Sequence, residues 1–446
     1  MPPETHFPTP SRPDRDLLTE LYHVATASVD PAPAVTARLA RLDRRPPGRR
    51  WILALGKAAE PMARAAVETL ATWHETPAGG LVVAPAASPR PHPALSVVPG
   101  DHPEPGPNSA AAAEALAETA ARVGPDDEVW VLLSGGASSL LAAPVEGLSS
   151  AELTALYRLL LGSGLDITAM NRIRKRFSRW GGGRLAAALA PARVAVFVVS
   201  DVIGDDLASI GSGPCVPDPT TAGEVRRALT DASLWHRIPA AARRLVEAAE
   251  AGETAETPKP GDGAFARVTL ELIASNRLAL EAAARRAAEL GLAPVVAEAP
   301  LAGEAWATGA SVAAVLLQHC GPREIPQPAA RRCFIWGGET TVTLGDTAPG
   351  LGGRCQELGL SAARALAGAP AGVALMAAGT DGRDGPTDAA GAIVDGTTWQ
   401  RILDAGRDPA RDLAAHDAYH ALDAAGALLK VGLTGTNVMD VVIGLV

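Results

Sequence analysis

The sequence predicts an α/β protein of two domains, the larger of them built around a mostly parallel β-sheet. Short, almost wholly apolar segments alternate with longer segments in which apolar residues recur every three or four positions, the patterns of strands and amphipathic helices. Strands that are apolar on both faces are typical of a parallel sheet covered by helices on each side. At 446 residues, the chain is long enough for two or three domains with ample cores.

The larger domain is predicted from elements in the N-terminal two thirds of the chain. Helical periodicity over 17–42 precedes a strand at 51–55, the turn Gly56–Lys57 and an alanine-rich helix, the strand–turn–helix unit that opens a doubly wound sheet. Further strands are predicted at 81–83, 129–133 and 194–199. This order is that of a Rossmann-like, three-layer α/β domain, for which we predict the bounds 17–325.

A smaller α/β domain is predicted over 326–446. The proline- and arginine-rich segment 322–332 marks the boundary. Beyond it, the pattern predicts strands at 333–336, 340–344 and 372–376, and a helix at 354–366. Residues 1–16 are rich in proline and polar side chains, so we predict that they form a flexible arm.

Composition and charge exclude several classes of protein. The net charge is −9 with no basic block, which argues against a nucleic-acid surface, and four cysteines without Cys-x-x-Cys spacing predict neither a zinc site nor a disulfide framework. No apolar stretch of the roughly 18 residues that a membrane span requires is free of charge or proline, and no signal peptide is evident. The sequence therefore predicts a cytoplasmic protein that acts on small molecules, and it leaves self-association open.

An aspartate- and glycine-rich loop at 379–391 follows a predicted core strand. Its carboxylates, Asp381, Asp384 and Asp388, are of the type that holds a cation or accepts a proton. A solvated Asp/Gly turn is the alternative interpretation. We favour a functional loop, because ligands of an open parallel sheet lie beyond the carboxyl ends of its strands and several other polar loops of this chain follow strands in the same way.

Two of the four lysines are candidates for binding phosphate. The chain has 36 arginines, so a retained lysine suggests a position where a compact ammonium suits a narrow approach to an oxygen better than a planar guanidinium does. Lys57 follows a predicted strand, and Lys175 lies in a basic segment at 170–179, for which a solvated helix face is the alternative. Lys259 lies in a proline-containing loop and carries no such signal.

The loop after the strand at 129–133 is the predicted nucleotide-binding site. Consecutive backbone N–H groups and hydroxyls at a helix N-terminus form a phosphate cradle, and here the residues are Ser134, Gly135, Gly136 and Ser138. A strand-to-helix turn also needs small residues, which is the alternative reason for them. The chain contains no Walker A motif, no Gly-x-Gly-x-x-Gly and no Gly-x-Ser-x-Gly. The sequence patterns that usually indicate a P-loop protein, a dehydrogenase or a serine hydrolase are therefore missing.

Two arginines directly follow glycine-rich segments. Arg184 follows the triglycine at 181–183, and Arg354 follows the glycine-rich segment 350–353 at the start of a predicted helix. Such arginines clamp a carboxylate or stabilise a phosphoryl group in transfer. Together with carboxylates for magnesium and for a base, among them Asp201, these residue types indicate phosphoryl transfer.

Motifs along almost the whole chain occur in the order found in one enzyme family. They are Leu55–Gly56–Lys57–Ala58–Ala59, Asp101–His102–Pro103, Ser134–Gly135–Gly136, Met170–Asn171, Gly182–Gly183–Arg184–Leu185–Ala186, Ser200–Asp201–Val202–Ile203–Gly204–Asp205, Ser212–Gly213–Pro214, Gly337–Gly338–Glu339, Gly353–Arg354, the loop at 379–395, and Thr434–Gly435–Thr436–Asn437–Val438. From about residue 17 to its last residue, the chain resembles the ATP-dependent glycerate 2-kinases whose C-terminal part is called the MOFRL domain.

The resemblance implies an enzyme with its active site in the cleft between two domains, which converts D-glycerate and ATP, with Mg²⁺, to 2-phosphoglycerate and ADP. The implied catalytic group is Lys57, Asp201, Arg354 and Asp381. The two cations would bind phosphate or the glycerate carboxylate; one aspartate would hold Mg²⁺ and the other would orient or deprotonate the 2-hydroxyl, with the assignment left open. The implied substrate contacts are Lys175, Arg184 and Glu339. Asp384 and Asp388 are then interpreted as supports for their loop.

Three positions depart from the family pattern. Arg176 stands where the family commonly has histidine, Gly181 where it has lysine, and Cys355 where it has asparagine. These changes bear on the substrate more than on the reaction, so a kinase for another small sugar acid, such as a threonate, is an alternative. An NAD(P)H-dependent hydroxypyruvate reductase, a label that some family members carry, is a second alternative, and a non-catalytic binding protein that retains the fold is a third.

Overall fold

The computed structural model of the protein describes residues 13–42, 48–320, 330–345 and 348–446. The chain forms two compact units. We call Pro31–Ala274 the parallel-sheet unit; the mixed-sheet unit combines helix α1 (Asp14–Ala27) and the residues to Asp30 with Ser275–Val446. None of the described helices is long and apolar enough to cross a membrane.

Six strands form the sheet of the parallel-sheet unit, and all neighbours run parallel. In chain order they are β1 (Arg50–Leu55), β2 (Gly79–Ala84), β3 (Leu95–Pro99), β4 (Glu128–Leu133), β5 (Arg193–Val199) and β6 (Val268–Ala274). Every residue of β1 and β2 is buried, as expected for strands covered on both faces. The spatial order β3-β2-β1-β4-β5-β6 is the doubly wound order that a Rossmann-like sheet adopts.

Two apolar clusters support most of the helices of this unit. The helices are α2 (Pro31–Leu39), α3 (Ala59–Thr72), α4 (Pro107–Ala120), α5 (Ala137–Leu140), α6 (Ser150–Leu161), α7 (Ile167–Phe177), α8 (Arg184–Leu189), α9 (Ala222–Asp231) and α10 (Ala240–Glu250). One cluster packs α4, α5 and α8 on the sheet around Val131. The other joins α6, α7, α9 and α10 around Leu156 and Ile173, so α7 rests on a helical core of its own.

The order of the parallel sheet reverses between its central strands, β1 and β4. At such a switch point, the loops that follow the two strands leave a crevice in which ligands bind. Here those loops begin at Gly56 and Ser134, and they are in register because Leu55 pairs with Leu133 and the Ser134 N–H donates to the Leu55 carbonyl (3.0 Å). The loop that begins at Ser200 follows β5, the next strand of the sheet.

The mixed-sheet unit is also an α/β structure. Its strands are β7 (Ala293–Val296), β8 (Arg332–Gly338), β9 (Ala374–Gly379), β10 (Gly391–Asp395), β11 (Leu428–Leu429) and β12 (Asp440–Leu445), in the spatial order β11-β10-β9-β12-β8-β7. The β7–β8 pair is parallel and the other described pairs are antiparallel. Because β12 runs antiparallel to β8 and β9, its first residue, Asp440, lies beside their last residues, Gly338 and Gly379.

The remaining helices cover this second sheet. They are α11 (Asn276–Glu289), α12 (Ala305–Gln318), α13 (Arg354–Ala365), α14 (Thr398–Asp404), α15 (Pro409–Ala414) and α16 (Ala418–Ala424). Leu316 of α12 and Leu358 of α13 belong to one apolar cluster with Leu375 of β9. Helix α1 packs against α11. The start of α13, where Arg354 lies, is therefore held against the sheet by buried side chains.

Several segments differ from the structure that the sequence predicts, among them strands β6, β7, β10, β11 and β12, for which no strand is predicted. Strand β3 forms in a proline-containing stretch without a predicted strand; it is an edge strand, where a missing N–H such as that of Pro99 is tolerated. The predicted strand at 340–344 is wrong. There, Thr341 makes a single bridge to Glu304, whose carboxylate accepts hydrogen bonds from the N–H and the hydroxyl of Thr343 (3.2 and 2.6 Å) in place of a strand ladder.

The predicted domain boundary at 325–326 lies outside the described residues. The two compact units divide at Ser275, because β7 pairs with β8 of the mixed sheet and α11 packs against both strands. Helix α1 belongs to the same unit, and its Tyr22 hydroxyl donates to the Gly379 carbonyl (2.8 Å). Since α1 begins at Asp14, the end of the predicted arm is helical; residues 1–12 of that arm lie outside the described residues.

Candidate active site

A pair of glycines at the switch point of the parallel sheet contacts a carboxylate and a lysine side chain. A β-carbon on Gly135 would lie 1.7 Å from Oδ2 of Asp201, so the Asp201 carboxylate fills the space that any side chain at this position would need. A β-carbon on Gly136 would lie 3.2 Å from both Cγ and Cε of Lys57. The loop after β4 thus brings together a carboxylate from the β5 loop and a lysine from the β1 loop.

Backbone amides line the same loop. Gly136 has φ +84° and precedes the short helix α5. The N–H groups of Gly135, Gly136 and Ala137 follow one another in the turn that leads into this helix. Successive amides in such a turn bind anions, and the neighbouring Lys57 side chain adds a positive charge. The predicted phosphate loop therefore carries successive backbone amides beside the Lys57 side chain.

The two serines of this loop have partners in the fold. Ser134 is buried, and its Oγ accepts a hydrogen bond from the Ala58 N–H (3.0 Å), which ties the β1 loop to the β4 loop. Ser138 is exposed, and its Oγ lies 2.8 Å from Oγ of Ser212. Of the two predicted hydroxyls, that of Ser138 is the one that a ligand can reach.

His102 also lies at this loop, although the sequence analysis did not assign it to the site. A β-carbon on Gly136 would lie 3.1 Å from its Cδ2. Desolvation and the Lys57 ammonium lower the pKa of His102, which favours a neutral imidazole near neutral pH. Its neighbour Asp101 caps α4 by accepting hydrogen bonds from the N–H groups of Asn108 and Ser109 (2.8 and 3.1 Å), so the His102 segment is anchored.

Lys175 lies in the last turn of α7 and is only 5% exposed. Burial lowers the pKa of Lys175, and the carboxylates of Asp218 and Asp206 oppose this shift. Asp206 belongs to the loop after β5 that also carries Asp201. Lys175 is therefore buried, which rules out a solvated helix face at this residue.

Arg184, a predicted substrate contact, caps α7 instead of facing outward. Its Nη1 donates to the carbonyls of Lys175 (2.8 Å) and Ser178 (3.0 Å), and its Nη2 donates to that of Arg176 (3.2 Å). The last carbonyls of a helix have no intrahelical donor, so a buried end needs such a partner. Burial lowers the pKa of Arg184 to about 10. We interpret Arg184 as a residue that positions the α7 terminus and Lys175.

Two further cationic side chains in this region also bind protein groups and so support the fold. Arg176, one of the departures from the family pattern, is buried and forms an ion pair with Glu256. Lys259 donates to the carbonyls of Asp218 (3.0 Å) and Thr220 (2.6 Å) and to the hydroxyl of Thr257 (2.7 Å). The ammonium of Lys259 thus has three acceptors, which fix its loop against residues 218–220.

Arg354, the first residue of α13, is held by two carboxylates. Its Nε and Nη2 donate to Oδ2 and Oδ1 of Asp440 (2.6 and 2.9 Å), and its Nη1 lies 2.8 Å from Oε1 of Glu339. The Asp440 side chain is 7% exposed, whereas those of Arg354 and Glu339 are 34% and 41% exposed. Burial lowers the pKa of Arg354, but the hydrogen bonds and charge of Asp440, together with the Glu339 charge and other smaller effects, raise it by more, so the guanidinium stays charged.

Asp381 lies two residues beyond the end of β9. Its Oδ1 accepts a hydrogen bond from the Arg383 N–H (3.0 Å), and the residue is partly exposed. Burial raises the pKa of the Tyr22 phenol, and the negative charge of Asp381 raises it further. The phenol therefore stays protonated. Asp381 is therefore accessible while the strand end beside it is fixed from α1.

Asp384 and Asp388 support the structure around the loop. Asp384 is buried, and its two oxygens accept hydrogen bonds from the N–H groups of Cys355 (3.2 Å) and Gln356 (2.8 Å), which caps α13 next to Arg354. Burial raises the pKa of Asp384 to about 6, against these two hydrogen bonds. Asp388 is exposed and accepts a hydrogen bond from the Tyr419 hydroxyl (2.7 Å).

Carboxylates that suit magnesium are present in both units. No group of three or more His, Cys, Asp or Glu side chains among the described residues is arranged to hold a metal by itself. A magnesium ion bound through nucleotide phosphates needs only one or two protein carboxylates. Asp201 in the parallel-sheet unit and Asp381 in the mixed-sheet unit are oxygen donors of that kind, so the residues present fit such an ion.

Sequence reasoning missed three residues that the structure brings into these groups: His102, Tyr22 and Asp440. His102 lies inside a recognised motif, so its position in that motif was an available signal. Asp440 is a lone charge at the head of an apolar segment, and such a charge marks a strand end. Tyr22 has no local signal, since a tyrosine on an amphipathic helix normally indicates core packing.

The fold and these residues define an α/β protein with a glycine-containing loop at a sheet switch point and an arginine–carboxylate cluster on a second sheet. Two family models match the chain: the Domain of unknown function (DUF4147) at residues 17–247, and the MOFRL family at residues 332–440.

Several proteins resemble the chain over almost its whole length. A protein of Agrobacterium vitis, provisionally named a hydroxypyruvate reductase, is 39% identical over 96% of this chain and 93% of its own. The D-glycerate 2-kinase of Thermotoga maritima is 37% identical over 97% of this chain and 98% of its own. The crystal structure of a glycerate kinase from Thermotoga maritima aligns with a TM-score of 0.86 at 37% identity, covering 97% of this chain and 99% of that one.

The chain therefore belongs to the family that joins DUF4147 and MOFRL domains and includes the glycerate 2-kinases. This membership confirms the resemblance seen in the sequence. The structure likewise confirms the α/β fold with a parallel sheet and a second, smaller sheet-containing unit.

Proposed function

We propose that the protein is a kinase that transfers the γ-phosphoryl group of ATP to the 2-hydroxyl of D-glycerate, with Mg²⁺, to give 2-phosphoglycerate and ADP. The observation that carries the proposal is the meeting of Lys57 and Asp201 at the Gly135–Gly136 loop. A cation, a carboxylate and successive backbone amides are the groups that hold a phosphoryl donor. The glycerate kinases among the relatives support the choice of reaction.

In the parallel-sheet unit, we assign the nucleotide phosphates to the loop after β4. The N–H groups of Gly135 and Gly136 donate to phosphate oxygens, and the Lys57 ammonium neutralises their charge. Lys175 adds a second positive charge at the loop after β5. Positioning and charge stabilisation account for most of the catalysis of phosphoryl transfer, and these groups supply both.

In the mixed-sheet unit, we assign the sugar acid to the group around Arg354. Its guanidinium binds the glycerate carboxylate or the phosphoryl group in transfer, and the exposed Glu339 carboxylate accepts a hydrogen bond from a substrate hydroxyl. One of Asp201 and Asp381 orients or deprotonates the 2-hydroxyl.

The other of these two aspartates would hold Mg²⁺, which neutralises the charge on the phosphate oxygens when it is bound. ATP and magnesium are both available in the cytoplasm, where we propose that the enzyme acts.

The proposal is tested by incubating the purified chain with ATP, Mg²⁺ and D-glycerate and identifying the product by phosphorus NMR. We expect 2-phosphoglycerate and ADP in equal amounts, and no product when EDTA removes the metal. A panel of three- and four-carbon sugar acids in the same assay decides whether glycerate or another acid, such as a threonate, is preferred. Formation of 3-phosphoglycerate would contradict the assignment of the 2-hydroxyl.

A parallel assay with NADH and hydroxypyruvate tests the reductase activity after which one relative is named. The chain has no Gly-x-Gly-x-x-Gly after β1, where a dinucleotide fold places that motif. We therefore expect no oxidation of NADH above the background rate. Oxidation of NADH without consumption of ATP would overturn the kinase proposal.

A further inference from the structure

The antiparallel register of the mixed sheet places one carboxylate at the ends of three strands. Asp440, the first residue of β12, pairs with Gly338 of β8 on one side and with Gly379 of β9 on the other. The chain leaves β8 towards Glu339 and leaves β9 towards Asp381. Asp440 is therefore central to the residues of this unit to which we assign the sugar acid, although it is itself 5% exposed.

Asp440 accepts two hydrogen bonds from one edge of the Arg354 guanidinium. The Nε–Oδ2 distance is 2.6 Å and the Nη2–Oδ1 distance is 2.9 Å, the two parallel hydrogen bonds of a bidentate pair. A guanidinium is planar, so two bonds along one edge fix its plane and the direction of its remaining nitrogen. That nitrogen, Nη1, lies on the side of the exposed Glu339 carboxylate, 2.8 Å from its Oε1.

Asp440 is itself held in place through its backbone. The Asn276 side-chain amide donates to its backbone carbonyl (2.9 Å) and to that of Val438 (2.8 Å). A buried carboxylate with an anchored backbone and a fixed cation partner is a rigid support, because neither group can turn without breaking hydrogen bonds that water cannot replace.

We propose that Asp440 is the positioning residue of Arg354: it fixes the Nε–Nη2 edge so that Nη1 is presented to an anionic group of the substrates. Asp440 does not touch the substrate in this arrangement and acts only through the guanidinium. The inference rests on the proposed kinase function and names the residue on which the arginine in that function depends.

The test compares the full-length wild-type chain with D440N, R354K and the D440N/R354K double variant in the glycerate kinase assay. The exposed carboxylate of Asp423, in the same unit, supplies the matched control D423N. We expect D440N and R354K each to lower kcat by about 100-fold, the loss typical of a misplaced catalytic group. The double variant should lie within about threefold of R354K alone, since both changes remove one interaction.

A rescue experiment separates positioning from a structural role. We expect guanidinium ion to restore part of the activity of R354A, because Asp440 still orients a free guanidinium, and to restore none in R354A/D440N. Wild-type kcat in D440N, losses that multiply in the double variant, or equal rescue in both backgrounds would each overturn the inference.

The proposed function and this inference fail in different ways. If the wild-type chain does not phosphorylate glycerate, the proposed function is wrong. Calorimetry then measures the binding of ATP and of D-glycerate, each added alone, and decides the role of Asp440. If Asp440 positions Arg354, D440N must weaken the binding of the same anion whose binding R354K weakens. Equal affinities of wild type and D440N, or no binding of either anion by the wild type, would overturn the inference.

Discussion

The Asp201 carboxylate lies against the α-carbon of Gly135, so closely that a β-carbon at Gly135 would be 1.7 Å from Asp201 Oδ2. Two strand-end loops of the parallel sheet can approach to this distance only because one of them has no side chain at the point of contact. The contact carries a carboxylate to the loop whose amides we assign to phosphate.

We expect the substitution Gly135→Ala to abolish most of the kinase activity, because Asp201 must move away to make room for the new methyl group. Overpacking at this site should also lower the free energy of unfolding by about 2 kcal/mol. Turnover and urea unfolding measure the two effects. Gly263→Ala is the matched control, since a β-carbon at this exposed glycine meets no atom within 4 Å. A fully active G135A variant would show that Asp201 has no role at this loop.

Lys57→Ala should lower kcat/KM for ATP by about 10²- to 10³-fold, because it removes the positive charge beside the phosphate loop. Lys57→Arg should restore little, since a planar fork does not reproduce a compact ammonium approaching through a narrow gap. The control is Lys430→Ala, which removes an exposed lysine that pairs with Asp388. Wild-type kinetics in K57A would refute the assigned role of Lys57.

Arg184→Ala should destabilise the protein by about 3 kcal/mol, because three carbonyls at the end of α7 lose their donor. Urea unfolding measures the loss, and the exposed Arg172 of the same helix supplies the control R172A. If R184A kept wild-type stability and showed only a raised KM for glycerate, the substrate contact predicted from the sequence would be right and the capping role wrong.

The buried Asp384 should make stability depend on pH in a defined direction. Burial raises its pKa in the folded state from 3.8 to about 6, so the folded state binds the proton more tightly than the unfolded state does. The resulting stabilisation, about 3 kcal/mol, is fully present below pH 3.8 and is lost as the pH rises through about 6.

The difference in unfolding free energy between wild type and D384N, measured from pH 4.5 to 7.5, isolates this contribution. We expect it to move against the wild type by about 2 kcal/mol across this range as the pH rises, since part of the effect is already lost at pH 4.5. D404N, which removes an exposed carboxylate, should leave the pH dependence of the wild type unchanged. Parallel curves for wild type and D384N would show that Asp384 titrates near its ordinary pKa.

Much of the parallel-sheet unit could be predicted from the sequence. Apolar segments such as 129–133 are typical of buried strands. The carboxyl ends of parallel strands lie at one edge of the sheet, so the loops that carry Lys57, Ser134 and Asp201 could be expected to meet at that edge. The mixed sheet was less accessible to prediction. Its strands are short, and β12 reaches its place between β8 and β9 through a pairing that no local pattern encodes.

Arg184 and Asp440 mark the limit of the sequence-based analysis. In sequence, Arg184 is an arginine after three glycines, the same signal that Arg354 presents. The directions of the side chains distinguish them: one guanidinium meets the carbonyls at the end of α7, and the other meets a buried carboxylate 86 residues away along the chain.

The sequence by itself determined the α/β class, the family, and which loops carry the polar chemistry, because periodicity and motif order are local properties that survive without coordinates. Only the tertiary structure decided which charged groups face a ligand and which support the fold. That choice depends on burial and on the distances between residues remote in the chain, as Asp201 at Gly135 and Asp440 at Arg354 show.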